Sequence, residues 1–140
     1  FDPIKDVVVF VEQFRLGALG STRSPWQLEM VAGMLDKALP YEEIARREAM
    51  EEAGCEVQSM HRIGSFFTTP GICNEQFHVY AAKVDASNLP EIGGLDEEHE
   101  DIRVIPVARE LAFEWLDKGY IKNAMTVLAL QWLRIKGTEW

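Results

Sequence analysis

Residues 7–11 read Val-Val-Val-Phe-Val. Side chains alternate between the two faces of a strand, so an unbroken apolar run has to bury both. A strand over Val7–Phe14 is therefore expected deep inside a layered fold, with helices on both faces of a mixed sheet. The chain has 140 residues, enough for one domain with a real hydrophobic core. Its apolar content of 47% points to a folded globular chain rather than a disordered one.

The rest of the sequence supplies the layers. Gly17, Gly20 and Ser21 mark a loop over residues 15–24, closed by Ser24-Pro25. A short strand is expected over 26–31 and a loop over 32–39. Pro40 opens a helix that runs to about Ala53. Its missing N–H costs nothing in a first turn, Glu42 and Glu43 suit the positive end of the helix dipole, and Gly54 is the natural terminator. One or two strands follow over 57–69. Pro70-Gly71 forms a turn, and a further strand covers Gln76–Val84. Residues 85–101 read as a polar, acidic loop with Ile92 as its anchor. A short strand over 103–107 leads to helices over 108–118, ended by Gly119, and over about 123–135. In the last helix, Met125, Leu128, Ala129, Trp132 and Leu133 share an apolar face. Trp115 and Trp132 read as helix packing, and Trp26 as either core or near a ligand.

Charge and cysteine content narrow the function. Twenty-three acidic residues against 14 basic ones give a net charge of −9. That argues against a large nucleic-acid interface, which draws on Lys and Arg. It is compatible with a small anionic ligand where a bound metal reverses the local field. Cys55 and Cys73 form neither a paired metal motif nor a disulfide framework, and reduced thiols in a cytoplasmic protein are expected. No run of about 18 apolar residues predicts a membrane span, and no secretory signal is read. The chain starts at Phe1 rather than Met, as part of something longer would.

The central helix carries the chemistry. At 100° per residue, Glu48 and Glu52 fall between the directions set by Ile44 and Ala45, with Glu51 close to Ile44. A solvated Glu-rich helix accounts for this, with Arg46 and Arg47 in ordinary surface pairs. So does a metal site. Two carboxylates about 4 Å apart repel by roughly 1 kcal/mol in water and about 4 kcal/mol at an effective dielectric of 20. A hard divalent ion such as Mg²⁺ removes that conflict. His61, His78 and His99 are scattered and lack zinc spacing, and His78 reads as structural.

Gly33, Arg47, Glu48, Glu51, Glu52 and Gly54, at their spacing, resemble the signature of the Nudix hydrolase family. One position departs, since Leu39 stands where that signature usually has Glu. The likeness extends over Phe1 to Trp140, which resembles the catalytic domain of the family's bacterial ADP-ribose pyrophosphatases. It is carried by Val-Glu-Gln-Phe-Arg at 11–15, Pro-Trp-Gln-Leu-Glu-Met-Val-Ala-Gly at 25–33, and Ser-Phe-Phe-Thr-Thr-Pro-Gly at 65–71. Glu75, Glu98-His99-Glu100-Asp101 and Asn123-Ala124 add to it.

The resemblance implies an α/β/α sandwich around a mixed β-sheet. It implies one catalytic domain over 1–140, without the N-terminal sheet domain that such proteins exchange across a homodimer. The implied reaction is Mg²⁺-dependent hydrolysis of ADP-ribose to AMP and ribose 5-phosphate, with Mn²⁺ as a substitute ion. Glu48, Glu51, Glu52, Glu100 and the Ala32 carbonyl are the implied metal ligands, and Glu98 the general base. Arg47 orients the box acids or simply forms a salt bridge with them, since its guanidinium stays protonated. Arg15, Glu29, Met34 and Glu75 resemble substrate-binding positions, though an edge salt bridge explains Arg15 and Glu29 equally well. Two other readings stand beside this one: a hydrolase of another nucleoside diphosphate derivative, such as NADH or a nucleotide sugar, and a catalytically degenerate nucleotide-sensing module.

Overall fold

The computed structural model describes residues 1–20, 24–35, 39–95, 97 and 99–140. Strand β1 (Val7–Phe14) lies inside a four-stranded sheet in the order β2-β1-β6-β5, with β2 at Trp26–Glu29, β5 at Ile92–Gly93 and β6 at Ile102–Ala108. A long hairpin of β3 (Val57–Phe67) and β4 (Gln76–Val84) forms a second sheet. Helix α1 (Tyr41–Ala53) precedes the hairpin, while α2 (Arg109–Asp117) and α3 (Ala124–Lys136) end the chain.

The valine run does what its alternation requires. Val9 and Val11 enter one buried cluster with Ala49 and Ala53 of α1, Val84 of β4, and Ile102 and Val104 of β6. Val8 and Phe10 enter another with Ala112 and Leu116 of α2 and Leu130 and Leu133 of α3. One strand thus serves two cores, and helices cover both faces. The α/β architecture is as expected, but every strand pairing among the described residues is antiparallel. Hydrophobic alternation reports which face a residue occupies, not which way its neighbouring strand runs.

Local chemistry sets the element ends. Pro40 caps α1 from just outside it, and its carbonyl accepts from Glu43 and Ile44 N–H. Gly54 closes the helix in the left-handed region at φ 62°, its N–H reaching the carbonyls of Ala49 and Met50. Residues 57–67 form a single strand, with register shifts between Val57 and Ser59 and between Arg62 and Gly64. Asn123 caps α3 by accepting from Thr126 N–H at 3.0 Å.

Two expectations need correction. Ile92 does not anchor the loop at 85–101, since its side chain is 60% exposed. Ala86 and Leu89 pack into the core instead, and backbone pairing of β5 with β6 holds the segment. The buried stripe of α3 is Thr126, Leu130 and Leu133, while Met125, Leu128, Ala129 and Trp132 are only partly covered. The stripe turns because Thr126 is drawn inward. Its Oγ1 accepts from Met30 N–H at 3.1 Å and donates to Asn123 Oδ1 at 3.1 Å.

Candidate active site

Beyond Val11 the inward face of β1 changes from apolar to polar, with Gln13 and Arg15 following at the alternating positions. Glu29 pairs with Val11 in register and so shares that face. It is buried and receives the Arg15 guanidinium through Nε at 3.1 Å and Nη2 at 2.6 Å. Glu29 holds Arg15 protonated well above its usual range, and the charges of Glu52 and Glu100 act the same way. Arg15 therefore faces the acids of the helix, and the edge ion pair expected of Arg15 and Glu29 is present.

Glu52, in the last turn of α1, is the centre of the cluster. Only 3% of it is exposed. Its Oε2 accepts from Ala32 N–H at 3.1 Å and its Oε1 from Gln13 Nε2 at 3.2 Å. Burial pushes its carboxyl up to about 7, and the charges of Glu100 and Glu48 add to the rise against those two hydrogen bonds. Glu48 lies one turn earlier against the backbone of Gly33, where a Cβ would fall 2.1 Å from Glu48 Cδ. Glycine at 33 is thus what lets the loop close over the carboxylate.

Arg47 donates to Glu48 Oε1 at 2.7 Å and lies 3.6 Å from Glu51 Oε2. It is paired with box acids, as its simpler reading predicted. Arg46 bonds Glu42 and the Val57 carbonyl, away from the cluster.

The acidic loop reaches the same place through its backbone. Gly94 N–H donates to the Glu51 carbonyl at 2.9 Å, which sets β5 against the end of α1. Gly94 adopts φ 88°, and a Cβ there would meet Glu100 Cβ at 2.7 Å. Glu100 Oε2 accepts from Leu95 N–H at 3.1 Å, and its charge is felt by both Glu52 and Arg15. The structure therefore brings together Arg15, Glu29, Ala32, Glu48, Glu51, Glu52 and Glu100, with Arg47 holding the acids.

Other positions stand apart. Met34 lies on the loop after Gly33 and is 85% exposed. Glu75 sits at the end of the β3–β4 hairpin, where it accepts from Thr68 Oγ1 at 2.6 Å. Glu98 lies outside the described residues. Trp26 pairs with Phe14 across β1 and β2, edge-on at 5.9 Å. It lines a shallow cleft of about 340 Å³ with Glu12 and Arg103 and is 40% exposed, so it is not part of the core. His78 stacks on Tyr41 at 3.8 Å and bonds Ser65, the structural role expected of it.

Gln13 was missed by sequence reasoning. The signal was available in the alternation of β1, which puts a lone neutral amide between Val11 and Arg15 on the inward face.

The donor chemistry of Glu48, Glu51, Glu52 and Glu100 suits a hard cation, since carboxylates offer oxygen. Glu52 is held up mainly by burial, with the charges of Glu100 and Glu48 adding to the rise, so a cation there would stabilise its ionised form. Among the described residues no group of three or more acidic, histidine or cysteine side chains is placed so that it could hold a metal ion as it stands. Nor is any helix among them long and apolar enough to cross a membrane.

The NUDIX domain profile matches residues 3–124. An ADP-ribose pyrophosphatase of Escherichia coli (strain K12) is 46% identical over 135 residues, covering 96% of this chain and 65% of that protein. One from Haemophilus influenzae is 44% identical over 138 residues, covering 96% and 64%. A GDP-mannose pyrophosphatase of Cronobacter sakazakii is 34% identical over 135 residues, covering 95% and 69%. The chain thus spans about two thirds of the length of these relatives. With the profile spanning most of its length and the signature residues gathered on one face, the chain belongs to the Nudix family.

Proposed function

We propose that this chain is the catalytic part of a divalent-metal-dependent hydrolase that splits ADP-ribose into AMP and ribose 5-phosphate. One observation carries the reading: 46% identity to an ADP-ribose pyrophosphatase across 96% of the chain. The buried Glu52 carboxyl, close enough to Glu48 and Glu100 for their charges to add to its rise, supports it.

In this reading Glu48, Glu51, Glu52, Glu100 and the Ala32 carbonyl hold Mg²⁺, for which Mn²⁺ can substitute. When bound, the ion supplies positive charge against the diphosphate and lowers the pKa of a water. Glu98 takes the proton of the attacking water as general base. Arg47 keeps the box carboxylates oriented. Arg15, braced by Glu29, faces a phosphate of the substrate. Met34 lines the substrate site, and Glu75 accepts a hydrogen bond from a ribose or the adenine.

Cytoplasmic location, homodimeric assembly and the absence of a nucleic-acid partner belong to the same proposal. The unpaired Cys55 and Cys73 support the first, the family resemblance the second, and the net charge of −9 the third.

A nucleotide sugar is the second reading, favoured by the 34% identity to a GDP-mannose pyrophosphatase over 95% of the chain. Product analysis separates the two. ADP-ribose, ADP-glucose, GDP-mannose and NADH are each incubated with the chain, with and without Mg²⁺. AMP and ribose 5-phosphate from ADP-ribose in the metal reactions, at the highest kcat/KM of the four, is the expected result. Preference for GDP-mannose, or equal turnover without metal, would refute the proposal.

A further inference from the structure

Gln13 touches the centre of the cluster although it carries no charge. Its Nε2 donates to Glu52 Oε1 at 3.2 Å, while Ala32 N–H holds Oε2 at 3.1 Å. In the ionised form that binds a cation, the Glu52 carboxylate only accepts, so the amide presents Nε2 to it. Glu52 is 3% exposed, so these protein donors rather than bulk water fix it. Each carboxylate oxygen has two lone-pair directions, and the two donors occupy one on each. Rotating the carboxyl plane would break both bonds at once.

We propose that Gln13 is a positioning residue that locks the Glu52 carboxylate for divalent-cation binding. This rests on the metal-dependent reading given above. A neutral donor suits the task better than a cation. Arg or Lys at 13 would cancel the charge of Glu52, whereas an amide orients it and leaves the charge for the metal.

Neighbouring residues show that the contact is particular to Gln13. Gln27 is its cross-strand partner on the same sheet face. The Gln27 amide turns away and donates to the Ser24 and Trp26 carbonyls at 2.9 and 3.1 Å. Arg15, two residues further along the same face, is engaged by Glu29. Gln13 thus ties the central strand to the last turn of α1 at the metal-facing acid.

The test is Mn²⁺ binding to the chain, measured from the spin-resonance signal of free Mn²⁺. Gln13→Met keeps the length of the side chain and removes the donor. Its Mn²⁺ Kd is expected to rise by about tenfold, the lower end of what lost outer-shell contacts produce. Gln27→Met should stay within about twofold of wild type, because its side chain has no part in the contact. Raising Mn²⁺ about tenfold should restore ADP-ribose turnover in Gln13→Met with KM for ADP-ribose unchanged, which general damage to the fold would not allow. Gln13→Asn, one methylene short of the carboxylate, should show the same Kd shift and decides the matter if Gln13→Met does not fold. Wild-type affinity in a folded Gln13 variant overturns the positioning role alone. A wild-type chain that binds no Mn²⁺ overturns the metal-dependent reading, and the positioning role with it.

Discussion

Raising the pH from 4.5 to 7 without divalent cations is expected to destabilise the chain, and Glu52 sets the size of the effect. An unfolded Glu52 releases its proton near 4.5, whereas the buried carboxyl, beside Glu100 and Glu48, holds it up to about 7. Between those values the folded chain binds one proton more than the unfolded chain. Stability is therefore present at the acid end and lost as the pH rises through the window. At about 1.4 kcal/mol per pH unit, the full span amounts to about 3 kcal/mol. Asp2, Asp85 and Asp117 are held below their usual value of 3.8, so what they contribute is lost only on further acidification and stays constant across this window. The Phe1 amino group, lowered from 8.0 by burial, acts in the opposite sense toward the upper end. Comparison with Glu52→Gln cancels it. Urea unfolding in EDTA at several pH values between 5 and 7 is the assay. Wild type should lose about 2–3 kcal/mol, while Glu52→Gln should keep a nearly level profile. Parallel profiles for the two proteins would refute the reasoning. Saturating Mg²⁺ should remove the loss, because the ionised carboxylate is the form that ligates. Calorimetry in buffers of different ionisation heat should then show about one proton released on metal binding at pH 6 and almost none at pH 8.

Gly33→Ala should leave the melting temperature nearly unchanged, since the loop is exposed, yet weaken Mn²⁺ binding by about tenfold or more by displacing Glu48 from the backbone it now touches. Wild-type affinity in that variant would mean that Glu48 can move aside freely. Thr126→Val should cost about 1–3 kcal/mol in urea unfolding, because at the buried Thr126 position it removes the acceptor for the Met30 N–H while barely changing side-chain volume. A loss below about 0.5 kcal/mol would show that Met30 finds another partner.

Much of the site was legible because its residues lie in regular elements. The valine run announced a strand with two buried faces, and β1 serves both cores. The helix between Pro40 and Gly54 ended where its glycine predicted, and the 100° spacing put Glu48 and Glu52 between Ile44, which is buried, and Ala45, which is half-buried. The misreadings arose where backbone contacts decide. Ile92 looked like an anchor by hydrophobicity alone, yet its segment is held by Gly94 N–H on the Glu51 carbonyl and by pairing with β6. The apolar face read for the last helix left out Thr126, whose Oγ1 accepts from Met30 N–H and lies buried. The direction of each strand pairing was likewise invisible to alternation.

The site forms where the central strand runs out from under its helix. From Val9 and Val11 to Gln13 and Arg15, the inward face of β1 passes from the α1 core to the last turn of that helix, where side chains meet incoming loops instead of packed methyl groups. A carboxylate at this border can be buried, held by Gln13 and Ala32, and still feel the charges of Glu48 and Glu100. Deeper in the core the desolvation of an ionised Glu would outweigh anything a single cation could return, while fully in solvent the carboxylate would be neither oriented nor in need of the cation. The raised Glu52 carboxyl is the energetic sign of that intermediate position. The two cores flanking β1 are what allow the fold to keep an acid there, since hydrophobic burial on both faces supplies the stability that Glu52 withholds near neutral pH.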